Sequence, residues 1–193
     1  MFRRLYDWVL SLANSPRAPH ALAAVSFAES SFFPIPPDVM LVPMVMAKPD
    51  RAWFYAGLCT VSSVLGGILG YAIGALAYST VGLWLIQLYG YGDRVNDFLA
   101  LYREWGALII LIKGLTPIPF KLVTIASGVA GYDFFWFVIL SAITRAGRFF
   151  LVAGVLNLFG PVIRKFIEDN LTLVASVTVA SIVGGFVIIK YLF

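Results

Sequence analysis

Pro34-Ile35-Pro36-Pro37-Asp38 and Pro117-Ile118-Pro119-Phe120-Lys121 each interrupt a long apolar run. A proline removes a backbone N–H and clashes with the preceding turn, so two of them two residues apart break a helix. The residue before a proline is also pushed out of the helical region. Residues 21–47 and 106–131 are apolar enough to enter a membrane. The breaks divide them into halves of about a dozen residues, short of the ~20 that a span needs. Each run is therefore expected to form a re-entrant helical hairpin. The turns fall at Pro34, Pro36 and Pro37 in the first copy, and at Pro117 and Pro119, with Gly128 following, in the second. Non-helical backbone at that depth must be covered by protein or line a wet cavity.

Composition sets the class. The chain is 61% hydrophobic and 12% charged, whereas soluble domains carry about 25% charged residues. The mean hydropathy is +0.90. These values describe an integral membrane protein of one domain. A net charge of +4 is too small to suggest nucleic acid. One cysteine, Cys59, excludes an intrachain disulfide. One histidine, His20, gives no support to a His-rich metal site or a Ser-His-Asp triad. No metal or cofactor is expected. No enzyme is expected either, because no nucleophile or base-metal cluster can be assembled.

The hairpins lie in a longer order. Phe2, Leu5, Trp8, Val9 and Leu12 recur at helical spacing, so residues 1–19 read as a helix lying on the membrane surface. After the polar break Lys48-Pro49-Asp50-Arg51, an aromatic belt of Trp53, Phe54 and Tyr55 opens a full span over 52–80. Within that span Ser62, Gly66, Gly70 and Gly74 recur every four residues, a stripe on which another helix can pack closely. Residues 82–104 read as an amphipathic surface linker, 134–160 as a second full span, 164–169 as a polar turn, and 171–192 as a last span. As segments, 1–19 precede a first unit over 20–80; 81–105 link it to a second unit over 106–160, and 161–193 close the chain.

The two units are related. A shift of 83 residues superposes Pro34-Ile35-Pro36 on Pro117-Ile118-Pro119, Asp50 on Asp133, and Trp53-Phe54 on Trp136-Phe137. One unit contains one full crossing, so the second must start from the opposite side. The expected fold is all-α: an inverted repeat of re-entrant hairpin plus transmembrane helix, with interfacial helices and a C-terminal span. An N-terminus in the cytoplasm puts Arg3, Arg4, Arg17, Lys48, Arg51, Arg164 and Lys165 inside and only Arg94, Arg103 and Lys190 outside, as the positive-inside rule asks.

Six ionisable residues lie within apolar sequence: Glu29, Asp38, Lys113, Lys121, Arg145 and Arg148. A charge at the bilayer centre costs about 2.5–3.5 kcal/mol on insertion scales. Two acids against four bases leave a positive surplus that suits an anionic lipid head group, held bidentately by arginine and as a point charge by lysine. Arg145 lies roughly 11 residues, or about 16 Å, into its span, close to mid-bilayer. Asp38 and Lys121 occupy the same repeat position and are expected near one another. Glu29, without an evident partner in sequence, is a candidate proton-binding group. The bland alternative is a set of structural ion pairs holding broken helices together.

The phrases Phe27-Ala28-Glu29-Ser30, Pro34-Ile35-Pro36-Pro37-Asp38 and Gly66-Gly67-x-x-Gly70-Tyr71, with Lys113…Pro117-x-Pro119-x-Lys121…Gly128, carry a family resemblance. Over about residues 20–160 the chain resembles the DedA family, also called the VTT or SNARE-associated domain. Its lysines, where that family usually has arginines, are similar to those of a small lysine-bearing branch. The resemblance implies a flippase or scramblase of the bacterial inner membrane, supporting membrane homeostasis. In that family the lipid is linked to undecaprenyl phosphate or phospholipid, and movement to protons. It makes Glu29 and Asp38 the functional acids. The expected partners are lipids with anionic head groups and protons, and a homo-oligomer is left open. The competing expectation is a structural or assembly membrane protein that transports nothing.

Overall fold

In the computed structural model, residues 13, 15–32, 36–78, 92–115 and 120–169 are described. Their regular structure is helical throughout, with no strand among the described residues. The helices are α1 (Ala18–Ser31), α2 (Asp38–Ala47), α3 (Ala52–Ala77), α4 (Gly92–Leu115), α5 (Phe120–Val129) and α6 (Phe134–Asp169), with a 3₁₀ turn over Pro49–Arg51 before α3. The surface helix expected over 1–19 falls mostly outside the described residues. So do Pro34, Pro117 and Pro119, and the last expected span over 171–192.

The proline-bearing breaks separate helices. α1 ends at Ser31, and α2 begins after Pro37, whose carbonyl accepts the amides of Met40 and Leu41 at 2.9 and 2.8 Å. Asp38 opens α2, where a carboxylate complements the exposed N–H groups and the helix dipole. At ten residues α2 and α5 each extend only about 15 Å. Two stretches are long and apolar enough to cross a membrane, Pro49–Ala77 and Phe134–Gly160. The chain is thus an all-helical protein with two candidate membrane-spanning helices.

Two boundaries differ from the sequence expectation. The linker does not stop before residue 106: α4 runs unbroken from Gly92 to Leu115. Gly106 is tolerated inside it because a Cβ there would collide with the Tyr132 ring, so close packing offsets the intrinsic cost of a helical glycine. The polar turn over 164–169 is also absent, and α6 continues through Pro161 to Asp169. Arg164 and Glu168, like Lys165 and Asp169, are four apart in sequence, a spacing that helices favour for opposite charges.

The two long helices form the centre. Trp53, early in α3, stacks on Phe150, in the middle of α6 (centroids 5.9 Å apart). Tyr71, late in α3, meets Phe134 at 5.5 Å and Phe137 at 5.1 Å, both early in α6. The two therefore run antiparallel. The short helices are exchanged between them: α3 packs against α1 and α5, and α6 packs against α4 and α2. Glycines make the exchange close. A Cβ on Gly66 would strike the Phe27 carbonyl of α1, and one on Gly74 would strike the Ile125 carbonyl of α5. Gly128 of α5 sits as tightly on the Tyr71 carbonyl of α3. The stripe Ser62, Gly66, Gly70 and Gly74 thus faces the two short helices from different units.

Apolar packing is unequal at the two ends. A larger cluster around Leu22, Leu41, Met44, Tyr55, Phe149 and Ala153 fills the end where α3 begins. A smaller one, Ile110, Phe120, Val123, Phe137 and Leu140, fills the end where α6 begins. Trp53 and Phe54 at the start of α3, and Phe134, Phe135 and Trp136 at the start of α6, are all exposed. Aromatic residues take such places at membrane interfaces.

Candidate functional site

Near the middle of both candidate spans, apolar packing gives way to a seam of buried polar groups. Ser63 of α3 and Arg145 of α6 each lie about 16 Å from the start of their helix. They touch: Arg145 Nε donates to Ser63 Oγ at 2.7 Å. The Arg145 guanidinium lies between two rings, 4.8 Å from the Phe120 centroid and 4.6 Å from that of Phe149. Its faces are covered by aromatic carbon, an arrangement that favours a cation. Its edge meets Glu29 of α1, with Nη2 donating to Oε2 at 2.8 Å. Both side chains are almost fully buried, 1% exposed for Arg145 and 8% for Glu29.

Glu29 has a second task. Its Oε1 accepts the backbone N–H of Phe120 at 3.0 Å. Phe120 is the first residue of α5, whose N–H groups have no partner inside the helix. One carboxylate therefore neutralises Arg145 and caps a helix from the other unit. Ser30 extends the contact. Its hydroxyl reaches Glu29 Oε2 at 3.2 Å and Ser63 Oγ at 2.6 Å, and its carbonyl accepts the Thr124 hydroxyl at 2.9 Å.

Asp38 pairs with Arg148, one turn along α6 from Arg145, at 2.5 Å. This pair is less buried, its side chains 22% and 25% exposed. The expected neighbour, Lys121, is not the partner of Asp38. The physical reason is the exchange of short helices: α2 lies on α6, so its first residue faces the α6 arginines. Lys121 is half buried at the start of α5 and makes no ion pair with a described residue. A lysine at a helix N-terminus is unfavourable, and the Glu29 carboxylate at the same end offsets it. The backbone of Lys113 is in α4, while its side chain lies outside the described residues.

The structure thus brings together Glu29, Asp38, Arg145 and Arg148 of the six expected residues. It adds Ser30, Ser63, Thr124 and the Phe120 amide. Thr124, three residues after Lys121, and Ser30, next to Glu29, were legible as hydroxyls beside charges, whereas Ser63 has no charge near it in sequence and the Phe120 amide carries no residue-type signal.

A pocket of about 230 Å³ opens where α6 begins, lined by Tyr102, Arg103, Ala130, Gly131, Tyr132 and Asp133. Gly131 turns the chain there with φ +59°, a conformation a side chain rarely adopts. Asp133 caps α6 by accepting the Trp136 amide at 2.9 Å. The Tyr102 hydroxyl is hydrogen-bonded to Ser127 at 2.7 Å. Burial pushes its phenol up to about 12. Burial, and then the Asp133 carboxylate, also raise Tyr132.

Over 189 residues the chain is 36% identical to an uncharacterized protein of Haemophilus influenzae, covering 97% of this chain and 98% of the relative. Over 152 residues it is 36% identical to a protein of Histophilus somni described as an uncharacterized HI0703 homolog, covering 79% of each. The chain belongs to the family of these two proteins. Because the Haemophilus match spans nearly both whole chains, it takes in both proline breaks, both long helices and the polar seam. No family model and no solved structure matches the chain.

Proposed function

We propose that the chain is a lipid transporter of the bacterial inner membrane, flippase- or scramblase-like and a member of the DedA family, which moves a phosphate-bearing lipid. The observation that carries this reading is the Glu29 carboxylate, which holds Arg145 of α6 and the first amide of α5 at mid-membrane depth. Broken helices and ionisable groups are both costly in lipid, and together they mark a substrate path more often than a scaffold. The antiparallel run of α3 and α6 and their exchange of short helices support an inverted repeat of two re-entrant hairpins. The N-terminus is then cytoplasmic and the protein multi-pass.

In this mechanism the lipid phosphate passes along the seam between Lys113, Lys121, Arg145 and Arg148. Two acids occupy the two arginines at rest, which leaves the lysines as the surplus positive charge. Glu29 and Asp38 release the arginines when they bind protons, and the phosphate takes their place. The test is purified protein in liposomes, assayed for movement of a labelled phospholipid and of a polyprenyl phosphate, with and without a pH gradient. Movement lost in Lys121→Ala, with folding intact, is the expected result. No movement of either lipid by folded native protein would end the transport reading.

One observation favours a second reading, in which the seam is structural. Both arginines are already paired with carboxylates, as a latch between helices would require. Under that reading Asp38→Arg combined with Arg148→Asp restores whatever either single change destroys, because only the pairing matters.

A further inference from the structure

Three polar atoms in the seam are buried without a hydrogen-bond partner among the described residues: Ser141 Oγ, Thr144 Oγ1 and Arg145 Nη1. All three lie on α6. Their residues are 0%, 2% and 1% exposed. Positions 141, 144 and 145 fall within about 100° of arc, on the helix face that also carries Arg148. Arg145 follows Ser141 by one turn, and long helical side chains lean toward the N-terminus, which brings its guanidinium over that turn.

Hydroxyls in apolar helices usually bond back to the carbonyl four residues earlier. Thr60 does so to Ala56, Ser127 to Val123 and Ser31 to Phe27, each at 2.8 or 2.9 Å. Ser141 and Thr144 do not. Leaving a buried donor unmet costs about 1–3 kcal/mol, so three on one face call for an occupant. The set also narrows its chemistry. Arg145 Nη1 can only donate, and both hydroxyls can donate. A cation is excluded beside a guanidinium, whereas an oxyanion accepts from all three in charge-assisted bonds.

We propose that Ser141, Thr144 and Arg145 Nη1 form a cradle for the phosphoryl oxygens of the substrate. This rests on the lipid-phosphate reading and deepens it. The cradle needs only the unpaired edge of Arg145, so a phosphate can dock there before the Glu29 pair opens. Ser141 lies about 12 Å along α6 from Asp133, the side on which the 230 Å³ pocket opens.

The test uses full-length protein in membranes, carrying Cys59→Ala so that no native thiol reacts. Ser141→Cys and Thr144→Cys are treated with a membrane-impermeant anionic methanethiosulfonate. Ala153→Cys, from the apolar cluster, is the dry control. Decyl phosphate and inorganic phosphate are the two protecting probes. The expected result is labelling of both cysteines well above the control, slowed about tenfold by a probe at ten times its dissociation constant. Protection by decyl phosphate alone assigns a lipid phosphate, and protection by both assigns phosphate in general. Labelling no faster than the control, or labelling that neither probe slows, overturns the cradle. A second measurement needs no cysteine: decyl phosphate should raise the Tm of native protein and leave that of Ser141→Ala/Thr144→Val unmoved. Equal shifts in both would also overturn it. Protection without lipid movement in liposomes would instead refute the transport reading and leave the cradle standing.

Discussion

Neutralising Glu29 alone should damage the protein far more than neutralising Glu29 and Arg145 together. Glu29→Gln keeps an amide oxygen for the Phe120 amide but strips the charge from Arg145's partner. The arginine is then a buried cation, 1% exposed, with no compensating anion at 2.8 Å. Breaking a buried pair in this way costs about 3–5 kcal/mol, roughly a fifth or more of the stability of an ordinary domain. Arg145→Met strands the carboxylate and should cost a similar amount. The double variant carries neither charge and places a flexible apolar side chain between the Phe120 and Phe149 rings. Its stability should approach that of the native protein, because apolar replacement of a whole buried pair is often neutral or better. The coupling in this double-mutant cycle is then about 6 kcal/mol or more, over about ten-thousandfold in the unfolding equilibrium. Detergent-solubilised protein unfolded with SDS or heat, followed by tryptophan fluorescence, measures all four corners. Single-variant losses that add in the double within about 0.5 kcal/mol would refute the claim that burial makes this pair strong.

The Asp38–Arg148 pair should behave differently. With side chains 25% and 22% exposed, Asp38→Asn should cost about 1 kcal/mol or less in the same unfolding assay, whatever it does to transport. A cost equal to that of Glu29→Gln would show that exposure does not rank the two pairs. Lys121→Ala should abolish lipid movement in liposomes with little change in Tm, because no described ion pair depends on it. Gly74→Leu should force α5 away from α3, where even a Cβ meets the Ile125 carbonyl, and lower stability by at least about 1–3 kcal/mol. The control is Gly57→Ala, where a Cβ meets nothing, and it should leave the melting curve unchanged or raise it. Asp133→Ala removes the cap on the Trp136 amide and should cost about 1 kcal/mol.

Several helix ends were legible in the sequence because their signals are local, though the continuity of α4 through Gly106 and of α6 to Asp169 was not. Proline pairs ended α1 and α4, and Asp-then-aromatic phrases opened α3 and α6. The pairing within the seam was not, and the cause is geometric. Asp38 and Lys121 share a repeat position, which suggested proximity. Equivalence within a sequence repeat says which residues correspond, not which of them touch. The decisive distance depends on α2 lying against α6, a contact between distant stretches of chain. Glu29 lacked an evident partner for a similar reason. One of its partners is the Phe120 backbone amide, and an N–H carries no residue-type signature. Ser141 and Thr144 were legible in principle, since they precede Arg145 by four and one residues. A serine or threonine in a membrane helix is ordinarily satisfied by its own backbone, however, and only coordinates reveal that these two are not.

The distribution of charge across the repeat explains why the exchange of short helices holds one register. At the shift of 83 residues, Glu29 corresponds to Ile112, Asp38 to Lys121, Ser62 to Arg145 and Leu65 to Arg148. Both buried acids belong to the first unit and both arginines to the second. Packing ties α5 to the α3 glycines, whereas none of the α6 glycines Gly147, Gly154 and Gly160 meets α2, so packing alone leaves the seat of α2 open. The charges remove that freedom. If α2 lay on α3 instead, Asp38 and Arg148 would lose their pairing. Glu29 adds a second constraint, since it reaches Arg145 and the α5 amide together only when α1 and α5 flank the same stretch of α3. The residues that would bind and release a phosphate also fix the crossed arrangement. Loosening one pair should therefore weaken the grip between the units, and in a transporter that coupling lets substrate binding open the seam.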